Sequence, residues 1–322
     1  MRTKFKLISL SASLLACGLG MSGNAQANAY AVSTNNIKDG LVTPHGALSF
    51  GATASVSSSA ATLNGLGEAR SASVAPPDTL PSNGTGSAPL RTNEMTFTTL
   101  LGNTYYSLFG PLPTNYSNGD AIVVSEQTGP GTAIIARNVA ESNVATQGFA
   151  DADGRNGSST SITGNVTCGP GAPCSIDFSF LADPYIRVLL DAGAGAGSVA
   201  RGVLALTVSL RAVGALTDFF TWAPNGVVGN GIVGGIETAD AENLNLAVAQ
   251  LTPGATVHSG PYASNVFGSY AASTNPFGPG SYVLNISMIE KTDVKLVPEP
   301  AGLALMGLAL AGLAITRRRK QA

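Results

Sequence analysis

Three cysteines and two histidines are the only thiols and imidazoles among the 322 residues, so the chemistry open to this chain is narrow. Cys168 and Cys174 flank Gly169-Pro170-Gly171-Ala172-Pro173, a segment whose Gly and Pro suit a tight loop. If Cys17 leaves with a secretory leader, these two are the only thiols in an oxidising compartment, and a disulfide is their natural pairing. Closing so short a loop contributes roughly 2 to 3 kcal/mol by the chain-entropy argument. A metal site would need further ligands, and only His45 and His258 are on offer, so none is expected. Asp151-Ala152-Asp153-Gly154-Arg155-Asn156-Gly157 has the alternating oxygen side chains of a calcium loop. Arg155 takes the third ligand position and no Glu follows at the bidentate one, so the segment reads as a solvated Asp/Gly turn.

Catalysis finds little to build on. No G-x-S-x-G elbow, H-E-x-x-H pair or P-loop is present. A serine triad would draw its base from His45 (Thr43-Pro44-His45-Gly46) or His258 (Val257-His258-Ser259-Gly260), both in contexts that read as exposed loops. Glycoside hydrolysis needs two carboxylates at a set distance in space, which sequence does not reveal. Asp177, Asp183, Glu237, Asp240 and Glu242 are the candidates, because they fall near strand ends or loops. Trp222, the sole tryptophan, stands beside Phe219 and Phe220 and reads as core rather than as a platform for a sugar ring. The Asn-x-Ser/Thr triplets at Asn83, Asn115, Asn156, Asn165 and Asn285 are expected by chance in a chain so rich in these residues. No catalytic residue and no cofactor are expected.

The elements that would position these side chains are strands. Ser175 to Leu181 alternates polar and apolar residues, as a half-buried strand should. Val203 to Leu210 does the same, with β-branched residues favouring strand over helix. Tyr282 to Ile289 reads as a last strand, and the Gly-rich stretches 193–197 and 226–235 read as connections. Before about Ser161 the pattern is weaker. The chain there is rich in Ala, Ser, Thr, Asn and Gly, with short alternating pieces such as Ala47 to Phe50 and Met95 to Thr98. Pro76-Pro77-Asp78 and Pro81-Ser82-Asn83-Gly84 are loop punctuation. Two regions follow, 28–161 and 162–296, the second more clearly β. Many short strands between turn signals argue for a mainly β fold, an antiparallel β-sandwich or jelly-roll-like body with Gly/Ser/Thr/Asn-rich loops.

Charge separates the ends from the body. Charged residues make up only 11% of the chain, well below the usual quarter. Seven of the 17 basic residues lie at the termini, leaving the body with 10 basic against 18 acidic residues, a net charge of −8. Nucleic-acid binding draws on clustered Lys and Arg, so that class is excluded.

Both termini read as targeting segments. Met1 to Lys6 is basic, Leu7 to Met21 is apolar, and Ala25-Gln26-Ala27 is a small-x-small cleavage site. These are the parts of a secretory signal peptide over residues 1–27, with Ala25 and Ala27 read by signal peptidase and a mature chain beginning at Asn28. A lipoprotein site at Leu14-Leu15-Ala16-Cys17 fits less well, because Leu15 is bulky and the apolar run continues past Cys17. At the other end, Val297-Pro298-Glu299-Pro300 precedes an apolar stretch, 301–316, and then Arg317-Arg318-Arg319-Lys320. A helix over that stretch would be about 24 Å long, enough for a thin hydrocarbon core. The prolines force it to begin after Pro300, and the basic cluster stops at the cytoplasmic face.

The order of Pro-Glu-Pro, short apolar helix and basic tail over 297–320 resembles the PEP-CTERM sorting signal of exopolysaccharide-producing Gram-negative bacteria. The resemblance implies that Pro298, Glu299 and Pro300 are recognition residues read by exosortase, a membrane-embedded cysteine protease or transpeptidase. It makes 301–316 a transient inner-membrane anchor and Arg317, Arg318, Arg319 and Lys320 a stop-transfer tail. Asp183-Pro184-Tyr185, the run from Phe220 to Gly226 and Gly234 to Glu237 are similar to the EDSAP-type members, exported proteins with no assigned activity. The expected partners are the Sec translocon, signal peptidase and exosortase, then exopolysaccharide. The expected role is a non-enzymatic protein of the cell surface or biofilm matrix. The rival is a secreted carbohydrate-active enzyme or calcium-dependent carbohydrate-binding protein on the same sandwich.

Overall fold

The computed structural model describes residues 27–64, 66–73, 82–83, 115–125, 133–146, 152–259, 267–297 and 307. The named elements among them are all strands, paired antiparallel into two sheets, so the expected β-sandwich is what the body forms. The larger sheet contains β1 (Ala27–His45), β4 (Ser82–Asn83), β5 (Tyr116–Ser125), β6 (Ile134–Thr146), β8 (Ser175–Ala182), β9 (Tyr185–Leu190), β13 (Gly235–Asp240), β15 (Ala255–Ser259) and β16 (Gly268–Thr274). The smaller contains β2 (Leu48–Leu63), β3 (Leu66–Ser73), β7 (Ala152–Cys168), β10 (Val199–Ala212), β11 (Phe220–Trp222), β12 (Ile232–Val233), β14 (Asn245–Gln250) and β17 (Gly280–Leu296).

Strand β1 organises the larger sheet. It pairs with β6 along one edge, and with β9 and β8 end to end along the other. Asp183-Pro184 separates β8 from β9, because proline cannot donate to a ladder and turns the chain. In the smaller sheet β17 lies between β10 and β7 with continuous registers on both sides. Strand β10 shows the sequence logic plainly: Ala200, Leu204, Leu206, Val208 and Leu210 are buried at every second position, facing the partner sheet. Gly202 completes that row. A Cβ there would lie 2.7 Å from Ile186 Cγ2 of the opposite sheet, so close approach of the layers requires glycine.

The interior is not uniform. At one end rings pack together: Phe178 stacks on Phe220 with centroids 5.4 Å apart, and Phe180 lies 5.4 Å from Trp222 and 4.9 Å from Tyr270. Phe219, Phe277 and Tyr282 form a second group beside the Cys168–Cys174 disulfide, whose Cα atoms are 6.0 Å apart. On β2, β6, β7 and the second half of β17 the inward residues turn polar. Ser55, Ser57, Ser59, Asn156, Ser158, Thr160, Asn138, Ser142, Glu290 and Thr292 are all buried.

Hydrogen bonds across this belt join the sheets. Ser33 Oγ donates to the Val203 carbonyl at 2.7 Å, Asn138 Nδ2 to the Met288 carbonyl at 3.0 Å, and Ser158 Oγ to the Val139 carbonyl at 2.6 Å. The Ser142 and Thr292 hydroxyls meet at 2.9 Å. Glu290 sits in the belt fully buried, and its carboxyl oxygens make no close hydrogen bond. Burial pushes that carboxyl well above its ordinary range, and the Asn138 amide opposite offsets this only in part.

Several sequence expectations need correction. The segment 151–157 is not a solvated turn: from Ala152 it is the start of β7, with Asn156 buried in the core and Arg155 pairing outward with Asp293 at 3.3 Å. The weakly patterned first region forms long strands, β1 of 19 residues and β2 of 16; the pattern is weak because the inward row of β1 begins with Ala27, Ala29 and Ala31 and that of β2 carries Ser55, Ser57 and Ser59. The compositional change at 161/162 falls within β7, and both regions contribute strands to both sheets, so it is no boundary in the fold. The Gly-rich stretch 226–235 contains β12, while 193–197 is a turn as expected. The Met95 to Thr98 and Pro76-Pro77-Asp78 segments lie outside the described residues, as do 1–26 and all of 301–316 except Gly307. No helix among the described residues is long and apolar enough to cross a membrane.

Candidate functional site at the sorting junction

Strand β17 carries the fold to the edge of the candidate sorting signal. Val294 and Leu296 are fully buried, and Leu296 pairs with Ala152 as the last rung of the β7 ladder. The next residue is also fixed. The Val297 carbonyl accepts the Gly195 N–H at 2.6 Å and the Ser198 hydroxyl at 3.2 Å, while Val297 N–H donates to Ser198 Oγ at 2.9 Å. These partners sit on the turn between β9 and β10. Gly197 adopts φ 89 there, a left-handed conformation natural to glycine. Pro298 follows Val297 directly, so no spacer separates the held backbone from Pro298-Glu299-Pro300. The triplet and the tail Arg317, Arg318, Arg319 and Lys320 lie outside the described residues. Ala25 does too, whereas Ala27 opens β1, buried and paired with Thr146.

The carboxylates singled out for chemistry are largely engaged in holding the fold. Asp240 Oδ2 accepts the N–H groups of Asn225, Gly226 and Val227 at 2.8, 2.8 and 3.1 Å, fastening the loop after β11. Glu237 spans the same loop: Oε1 accepts the Trp222 indole N–H at 2.5 Å and Oε2 the Gly229 N–H at 2.7 Å. Burial raises Glu237 above the ordinary carboxyl range, the Trp222 and Gly229 bonds work against this, and neighbouring Asp240 adds to it. Asp183 is buried at the β8–β9 corner and is pushed up to about 7, first by burial and then by the charge of Glu242. Burial likewise raises Glu242. With 3% of its surface exposed, Asp183 presents almost nothing to a substrate.

Asp177 and His45 form an outward-facing pair, Oδ2 to Nε2 at 2.6 Å, each about half exposed. Burial works against the Asp177 charge, but the Ser273 and His45 bonds and the His45 charge outweigh it and hold the carboxyl below its ordinary value. Both histidines lie on strands rather than in loops, His45 ending β1 and His258 within β15. Trp222 is fully buried among rings and cannot stack a ligand. Among the described residues no group of His, Cys, Asp and Glu could hold a metal ion. A void between the sheets, lined by Ile37, Phe178, Trp222 and Met288 among others, measures about 30 Å³, close to the volume of one water.

Residues 296–320 match the PEP-CTERM protein-sorting motif. The chain carries that motif at its C-terminus. Its match begins at Leu296, so the motif and the last rung of the β-sandwich share a residue. The PEP-CTERM motif implies export and exosortase processing. The match does not reach Asp183, Trp222 or Glu237, so the EDSAP likeness gains nothing from it. No curated protein matches the chain, and no solved structure does. Sequence reasoning found the Pro-Glu-Pro triplet but missed Gly195 and Ser198, which hold the residue before it. Their one signal was position, since Gly195 lay in the Gly-rich connection 193–197 and Ser198 directly after it.

Proposed function

We propose that this protein is a non-enzymatic component of the surface or extracellular matrix of a Gram-negative bacterium, delivered by the Sec translocon and released from the inner membrane by exosortase. Signal peptidase cuts after Ala27, the apolar segment 301–316 anchors the precursor, and the basic tail stays in the cytoplasm. After release the acidic sandwich associates with exopolysaccharide. One observation carries the reading: the PEP-CTERM motif begins where the folded body ends, so the body is the cargo and the motif its address.

The engagement of the candidate carboxylates supports a role without catalysis. Glu237 and Asp240 are tied to a loop backbone, Asp183 is buried, and Asp177 is paired with His45. Glycoside hydrolysis needs two carboxylates presented to a substrate, and these four are tied to backbone, buried or paired.

Mass spectrometry of the protein from wild-type and exosortase-deleted cells tests the reading. The deletion strain should accumulate a membrane-bound form that retains residues 301–320, and the wild type a shorter, released form. Retention of those residues in both strains would overturn it.

A further inference from the structure

The first residue expected in the mature chain already faces a carboxylate. The Asn28 backbone N–H donates to Asp191 Oδ2 at 3.0 Å, and the Asp191 N–H returns a bond to the Asn28 carbonyl at 2.9 Å. In the precursor this nitrogen is an amide with one proton and no charge. Cleavage after Ala27 hydrolyses the Ala27–Asn28 peptide bond: water supplies the hydroxyl to Ala27 and a proton to Asn28, and the new amine takes up a further proton at neutral pH. The same nitrogen then carries three N–H donors and a positive charge. Asn28 Oδ1, a buried acceptor with no hydrogen-bond partner, lies in the same residue and can take one of those donors.

The surroundings suit an ion pair. Asn28 and Asp191 are both partly buried, which screens their interaction less than full exposure would. Around them Ala145 is the β6 partner of Asn28, Leu190 and Ala192 flank Asp191, and Gly193 approaches Ala27. None carries a charge, so Asp191 is the acidic side chain that these elements place against the amine.

We infer that Asp191 is a binding site for the α-ammonium group that leader removal creates on Asn28. Processing thereby converts an amide–carboxylate hydrogen bond into a salt bridge that locks the first strand. This inference rests on the proposed cleavage after Ala27, and its test separates the two.

Mature protein recovered from the exported fraction is first sequenced from its N-terminus. Its α-amine is then labelled with an amine-reactive reagent at pH 8, in the wild type and in Asp191→Asn, against a peptide Asn-Ala-Tyr-Ala. The wild-type amine should react on the order of two- to fivefold more slowly than that of D191N, the size expected for a partly exposed ion pair. On the wild-type protein alone, 1 M salt should weaken that protection in part, measured relative to the peptide, because the pair is only partly buried. This second reading holds even if D191N folds poorly. A chain starting elsewhere than Asn28 would overturn the cleavage assignment and the inference together. A chain starting at Asn28 whose amine reacts equally in both proteins, or is insensitive to salt, would overturn the inference alone.

Discussion

Around Phe178, Trp222 and Tyr282 the two sheets meet through aromatic rings; where β6 faces β7 and β17 they meet through hydroxyls and amides. The ring end gains from area removed from water, which is large and tolerant of direction. The polar belt gains little net free energy from each bond but fixes which residue faces which, because an unmatched hydroxyl or amide there would be costly. Strand β17 runs through both regimes, from Tyr282 and Leu284 to Glu290 and Thr292. One sandwich therefore combines an end that supplies stability with a belt that supplies register.

The sharpest way to break this comparison is to remove a ring. Trp222→Ala should cost about 3–5 kcal/mol, since it empties a fully buried site and leaves Glu237 Oε1 without its indole donor. The fall would appear in the urea midpoint with an unchanged m-value. A loss under about 1 kcal/mol would show that the ring end is not the source of stability.

The belt should answer to protons instead. The Glu290 carboxyl titrates higher in the folded chain than in the unfolded one, so between those values the folded chain keeps a proton that the unfolded chain has released. Stability is therefore full below the ordinary carboxyl range and is lost as pH rises through the folded value. The urea midpoint of the wild type should decline from pH 5 to pH 9, and Glu290→Gln should reduce that slope, leaving the share due to Asp183. An equal slope in both would place the titrating group elsewhere.

The smallest effect belongs to the half-exposed pair on the outer face. Asp177 is depressed, so its contribution is present above its unfolded value and disappears as pH falls through its folded value. His45→Ala should lower stability at pH 6 by no more than about 0.5 kcal/mol, because solvent screens the pair. A larger loss, measured by thermal unfolding, would mean that the pair acts as part of the core.

The same contrast explains what could be read from sequence. Strands β8 and β10 were legible because their inward residues are large and apolar and their outward ones polar, which gives the period of two. Strand β2 and the first half of β7 face a polar interior, and the inward row of β1 begins with alanines, so the alternation is faint in the residue types. Glu290 was within reach, since it continues the inward row of Leu284, Ile286 and Met288, but a charged residue in that register normally ends a strand reading. The Pro-Glu-Pro signal needed no fold to be seen. The hold of Ser198 and Gly195 on Val297 did, because 99 residues separate Ser198 from its partner.

The turn between β9 and β10 grips Asn28 through Asp191 and Val297 through Gly195 and Ser198, so the two ends of the sandwich meet at one corner. Three residues, 298–300, then separate the body from the apolar run, a reach of about 10 Å at full extension. On the proposed delivery route, a precursor held in the membrane at both ends would present that corner to the bilayer, with the disulfide-bearing end of β7 and β17 opposite it.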